Sequence, residues 1–276
     1  MPTSHHAPPK FETVLYEKTG PICRITLNRP EKLNAATDQL VEEVNDALFE
    51  FDADPELQVA ILSGAGRAFC SGADVQQRQL RTPEEMRRLG GPAGRRSREN
   101  GLSDTVNWKP VIAAVHGYAL GLGYSLSQSC DLVVAAEGTQ FQIREVQRGL
   151  GGAQHWVATW FWTGSRFANE VALTGRMFTA EEALQHGMVN QVVPRAELSL
   201  RVLELARRIA AKPSFALKLT KEAVNRSVDV MGQPAAIDQA FALHQLCHAH
   251  NLQEFGMVVD PAGLHPSVRK PKAAAE

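Results

Sequence analysis

The chain has 276 residues, 44% of them apolar and 21% charged, and a formal net charge of −1. Such a length can bury a large core and fits one main domain, while the balanced charge supplies no basic field for nucleic acid. No apolar run reaches the roughly 18 residues that cross a bilayer, so neither a membrane nor a nucleic acid is an expected partner.

The four cysteines, Cys23, Cys70, Cys130 and Cys247, stand far apart without a C-x-x-C pair, and Met1 opens a polar stretch with no secretory signal. A reducing cytoplasm is the expected compartment.

In chain order, residues 1–10, with His5, His6, Pro8 and Pro9, read as a flexible tail. Phe11 to Lys18 and Ile22 to Leu27 alternate in hydrophobicity around Thr19-Gly20-Pro21, a hairpin pattern. Asp38 to Phe51 places Leu40, Val41, Val44, Leu48 and Phe51 on one helical face, with Thr37 or Asp38 as its N-cap. Val59 to Ser63 and Val111 to Val115 are short apolar strands. After Phe141 the pattern is almost wholly helical: Ala168 to Leu173, Thr179 to His186, Glu197 to Ala211, Pro213 to Val228 and Ile237 to Leu252. Strands and helices that alternate and then give way to helices predict an α/β core over 11–196 and a helical region over 197–260, with 261–276 as a loose end.

Between two apolar runs, residues 117–126 read G-Y-A-L-G-L-G-Y-S-L. Glycines cluster in this way where backbone must approach something closely. Three further motifs accompany it in order: N-R-P-E-K-L-N-A (28–35), G-R-A-F-C-S-G-A-D (66–74) and T-G-R-M-F-T-A-E-E-A-L-Q-H-G-M-V (174–189). Together with H-G-Y-A-L-G-L-G (116–123) they resemble the crotonase superfamily, the enoyl-CoA hydratase/isomerase family, over about Phe11 to Gly256.

The resemblance implies a ClpP/crotonase-like α/β spiral of β-β-α units, with a helical C-terminal region that assembles trimers or hexamers. It implies an acyl-CoA thioester as substrate, with coenzyme A arriving as part of it, no separate cofactor and no metal. Thioester chemistry of this kind passes through an enolate, and a buried oxyanion needs donors already in place. The backbone N–H groups of Ala73 and Leu122 are the expected oxyanion hole, Leu122 opening a helix whose first N–H groups are free. Lys32, Ser71, Gly72, Asp74 and Gly121 are the expected contacts to coenzyme A and the thioester. Where the family usually has a further glycine this chain has Leu122, so that side chain either enters the core or reshapes the pocket.

Typical hydratases of the family use two glutamates. At the first of those positions stands Ser125, and at the second, twenty residues on, Glu145. A serine is not a base at neutral pH without a partner, so Glu145 is the expected acid/base, its pKa raised by an apolar pocket, and Ser125 its hydrogen-bonding companion. The usual G-x-x-P-x-x-G-G turn is replaced by R-G-L-G-G-A-Q-H-W (148–156), in which His155 is a second titratable candidate. Seven arginines (78, 81, 87, 88, 95, 96, 98) fall in Gln76 to Asn100, where the family places a variable segment over the acyl chain. They read as a solvated loop or as partners of a phosphate or a carboxylated acyl group. The expected activity is enoyl-CoA hydratase or isomerase. Alternatives are a hydroxycinnamoyl-CoA hydratase-lyase, which resembles this chain in pairing Ser with one Glu, an acyl-CoA hydrolase, or a non-catalytic acyl-CoA binder.

Overall fold

A computed structural model describes residues 10–79, 81–89, 107–151 and 154–264, with the side chains of residues 79, 88, 89, 154 and 155 outside the description. Nine strands are described: β1 (Val14–Thr19), β2 (Ile22–Leu27), β3 (Val59–Gly64), β4 (Val111–Val115), β5 (Tyr118–Leu120), β6 (Leu132–Ala136), β7 (Gln140–Gln142), β8 (Met177–Thr179) and β9 (Gln191–Val193). The described helices are α1 (Asp38–Ala53), α2 (Pro83–Leu89), α3 (Leu122–Gln128), α4 (Gln154–Thr163), α5 (Ser165–Thr174), α6 (Ala180–Gln185), α7 (Leu198–Ala210), α8 (Ser214–Val230) and α9 (Gln233–Phe255).

Six strands form the main sheet in the order β1-β2-β3-β4-β6-β9, parallel except for the antiparallel β1–β2 hairpin. Its central strands β4 and β6 are apolar throughout because both faces are covered. Ala60 and Leu62, Val111, Ala113 and Val115, and Val133 and Ala135 join the main core with α1, while the alternate residues Val59, Ile61, Ile112, Ala114 and Val134 pack beneath Leu198, Val202 and Ala206 of α7. The second sheet, β5-β7-β8, brings the glycine-rich segment before α3 against the segment that leads to Glu145.

The hairpin, the apolar strands, α1 and the C-terminal helices stand where the sequence predicts them, and Thr37 is the cap of α1, its hydroxyl accepting from the Leu40 N–H at 3.1 Å. The stretch after Phe141 is not wholly helical. β7, β8 and β9 interrupt it, each of three residues, too short for a period of two to declare itself. The helix α4, with Trp156, Trp160 and Trp162, is an addition to the predicted set. At the start of the stretch expected to be a loose end, Pro261–Gly263 form a 3₁₀ turn and Leu264 is buried, while residues 265–276 lie outside the described residues.

Candidate active site

The site is assembled by a strip of backbone, residues 70–74, lying between two neighbours. On one side the Ala36 N–H donates to the Gly72 carbonyl at 2.8 Å and the Asp74 N–H to the Ala36 carbonyl at 2.9 Å. On the other, the Cys70 N–H donates to Tyr118 and the Leu120 N–H to Cys70, both at 3.0 Å. Because amides alternate along extended backbone, these bonds turn the Ala73 N–H away from Ala36 and toward residues 118–122. Gly72 closes the gap: with φ at 99°, a Cβ built on it would lie 2.8 Å from the Leu120 carbonyl oxygen and 3.8 Å from the Leu122 nitrogen. Gly72 and the start of α3 are therefore close neighbours, and neither the Ala73 nor the Leu122 N–H bonds another group among the described residues.

Leu122 is the first residue of α3, so its N–H has no partner within the helix. Its side chain is half-buried and packs against the main core, which answers the question the Gly-to-Leu change raises. Gly121 caps the helix with φ 49° and donates to the Gln142 carbonyl at 2.8 Å. The Glu145 Oε1 lies 3.2 Å from where a Gly121 Cβ would stand. A half-buried carboxylate thus faces the same helix start as the two amides, with its Oε2 shielded from solvent.

Ser125 is buried on the first turn of α3, its N–H bonded to the Gly121 carbonyl at 2.9 Å. Beside it, the Tyr124 hydroxyl shares a 2.6 Å hydrogen bond with Thr159 of α4. Burial chiefly, and the nearby Glu145 charge in addition, hold the Tyr124 phenol well above its ordinary range against the lowering effect of the Thr159 bond.

Glu145 opens a 3₁₀ turn, Glu145–Arg148, in which residues three apart share a face, so Arg148 stands beside Glu145. Burial lowers the Arg148 pKa, as does the Arg144 charge, while Glu145 opposes both. Residue types alone give Arg148 no catalytic role, since an arginine three positions from a glutamate is an ordinary ion-pair partner on any exposed turn.

Lys32 is exposed on the 3₁₀ turn Pro30–Lys32, which the strip abuts: the Ser71 N–H donates to Leu33 at 3.0 Å and the Ser71 hydroxyl to the Lys32 carbonyl at 3.5 Å. The Asp74 carboxylate works within the loop, pairing with Arg29 at 3.2 Å and accepting from the Gln76 and Gln77 N–H groups. Of the arginine-rich segment, Arg78 and Arg81 both pair with Asp38 at the start of α1. The side chains of His155 and Arg88, and the whole of Arg95, Arg96 and Arg98, lie outside the described residues. A groove of about 770 Å³ between α8 and the body, lined by Trp162, Met188, Lys221 and Asn225 among others, contains none of the candidate residues. The backbone geometry, not that groove, locates the site.

A family model described as enoyl-CoA hydratase/isomerase matches residues 17–259. The chain belongs to the enoyl-CoA hydratase/isomerase family. It is similar to a Mycobacterium tuberculosis protein assigned as enoyl-CoA hydratase EchA13, with 38% identity covering 88% of this chain and 83% of that one. It is similar also to the short-chain-enoyl-CoA hydratase of Clostridium acetobutylicum, with 34% identity covering 84% and 87%. A Mycobacterium smegmatis crystal structure assigned as an enoyl-CoA hydratase superposes with a TM-score of 0.80 at 36% identity, covering 90% of this chain and 98% of that one. The crotonase fold and an enzyme of the hydratase/isomerase family are thereby shown for this chain.

Proposed function

We propose that this enoyl-CoA hydratase/isomerase family enzyme binds a short acyl-CoA thioester with its carbonyl oxygen between the Ala73 and Leu122 N–H groups, and that Glu145 is its acid/base. One observation supports the reading: Gly72, next to Ala73, packs against residues 120–122 at the start of α3, and the Glu145 Oε1 lies 3.2 Å from where a Gly121 Cβ would stand at that same point. In hydration, Glu145 takes a proton from water as the water oxygen bonds C3 of the enoyl group. The electron pair of the C2–C3 double bond moves onto the thioester oxygen as an enolate. Glu145 then returns the proton to C2. In isomerisation the same carboxyl lifts a proton from one carbon and returns it to another. Fixed amides facing the enolate oxygen need no reorganisation as the charge develops.

Ser125 hydrogen-bonds a water or a substrate oxygen, Lys32 and Ser71 border the coenzyme A path, and Asp74 keeps the loop in shape. The enzyme works as a homotrimer or a pair of trimers in the cytoplasm, without metal or further cofactor. The short acyl group follows the Clostridium relative, whose name specifies short-chain enoyl-CoA.

Turnover of crotonyl-CoA, feruloyl-CoA and acetyl-CoA by wild type and by Glu145→Gln tests the reading. Glutamine keeps the shape and removes the titrating proton, so kcat falls about 10²- to 10⁴-fold on the best substrate with little change in thioester affinity. A fully active Glu145→Gln overturns the assignment. Hydration with loss of a two-carbon unit from feruloyl-CoA selects the lyase, release of free coenzyme A from acetyl-CoA selects the hydrolase, and affinity without turnover selects the binder.

A further inference from the structure

The turn that follows Glu145 has almost no means of holding itself. Residues 149–152 read Gly-Leu-Gly-Gly, with no proline among them to restrict the backbone. Gly149 has φ 66°, and glycines lose more conformational freedom on ordering than any other residue. Leu150 alone contributes a side chain, buried with Met257, Val258, Val259 and Leu264. Glycines can be fixed from outside only through their backbone polar groups, and among the described residues 149–151 most of these groups are taken.

The Leu150 N–H donates to the Glu145 carbonyl at 2.9 Å, and the Gly149 N–H to Val146 at 3.2 Å, so the turn is bonded directly to the catalytic residue's own backbone. The Arg148 carbonyl accepts from the Asp260 N–H at 2.8 Å. The remaining groups are met by one face of α9, whose positions 244, 247 and 251 follow helical spacing. Nδ1–H of His244 donates to the Gly151 carbonyl at 3.1 Å, the Cys247 sulfur accepts from the Gly151 N–H at 3.2 Å, and the Asn251 amide donates to the Gly149 carbonyl at 3.1 Å. His248 secures the same helix to the chain beyond it, donating from Nδ1 to the Val258 carbonyl at 2.7 Å.

We infer that His244, Cys247 and Asn251 are positioning residues: they clamp the backbone of residues 149–151 and through it hold the Glu145 carboxylate against the start of α3. The inference rests on Glu145 being the acid/base. The clamp restricts the turn from a helix about a hundred residues away. Loss of a clamp bond lets the carboxyl wander without altering the coenzyme A path, so kcat changes and KM does not.

The test uses the purified full chain with whichever of crotonyl-CoA and feruloyl-CoA it turns over faster, comparing Cys247→Ala, Cys247→Ser, Asn251→Asp and Glu145→Gln. Asn251→Asp removes the donor and faces an anionic oxygen to the Gly149 carbonyl. Its kcat falls about tenfold or more with KM within about threefold, on a chain that circular dichroism shows folded at the assay temperature. Cys247→Ala falls about three- to tenfold and Cys247→Ser, which restores an acceptor, recovers to within about twofold. Should Asn251→Asp fail to fold, the Ala and Ser variants at 247 decide alone. Folded variants with wild-type kcat, or a serine no better than alanine, overturn the clamp while Glu145→Gln remains inactive. An active Glu145→Gln overturns the acid/base assignment and the clamp together.

Discussion

Gly72 is held to glycine twice over, by a φ of 99° that L side chains rarely adopt and by the Leu120 carbonyl 2.8 Å from any Cβ. Gly72→Ala must push the strip off residues 120–122 and part the two amides. Since removing one oxyanion donor costs about 10² to 10³ in kcat, turnover of that variant falls at least that far while its circular dichroism stays that of a folded chain. Ser125→Ala is milder, about five- to tenfold in kcat, because a hydroxyl that only positions water or substrate supplies one hydrogen bond of roughly 1 kcal/mol. A loss equal to that of Glu145→Gln would show the two acting as a unit. His248 makes a different prediction. Burial first, then the His244 and Arg81 charges, push its pKa down from 6.5 to about 3 against the bond to Val258. The unfolded chain therefore takes up a proton near pH 6.5 that the folded chain refuses, and stability falls with pH across that window. Between pH 7 and 5 the loss is about 2 kcal/mol, and the thermal midpoint of a His248→Asn variant depends less on pH over the same range. The close backbone approach at Gly72 was legible in sequence because it restricts residue type, whereas Glu145 was singled out by the resemblance alone. The Asn251, Cys247 and His244 bonds were not, since nothing local links positions a hundred residues apart.

At the scale of elements, legibility followed length. The sixteen residues of α1 show a buried face of Leu40, Val41, Val44, Leu48 and Phe51, together with a cap whose hydroxyl accepts at 3.1 Å. Thr37→Ala leaves an N–H at the helix start unmet, and chemical denaturation should register a loss of about 1 kcal/mol with the slope unchanged. A smaller effect is expected at Thr179, where the Glu182 carboxylate returns a bond to the cap N–H at 3.0 Å and so keeps half of the capping box after substitution. The strands β5, β7 and β8 have only three residues each. They exist because the main sheet and α3 place those segments side by side, and that is tertiary context no local window contains. Their consequence for function is large, since the β5–β7 pairing sets the Leu120 and Gln142 backbones in register and delivers Glu145 to the helix start.

The whole molecule carries an apolar surface that the other described residues do not cover. Among the described residues α8 has no buried position, yet it presents Phe215, 74% exposed, and Val230, 88% exposed. On α9, whose other face grips the turn after Glu145, Leu246 points outward and is 66% exposed. Leaving so many large apolar side chains in water costs about 1.5 to 3 kcal/mol for each that burial would cover, and helices with apolar residues on two sides ordinarily have two partners. The expected partner is a second and third copy of this chain, because a closed ring lets one patch serve every subunit. Sedimentation at micromolar concentration should give the mass of a trimer or of two trimers. Leu219→Lys with Leu246→Lys, both at exposed positions, should shift it toward the monomer by setting like charges where apolar surface met. Since α9 has the assembly surface on one side and the clamp on the other, that variant should also lose kcat in proportion to the monomer formed. A stable wild-type monomer would contradict the assembly, whereas a monomeric variant of undiminished kcat would show that α9 holds the turn equally well alone.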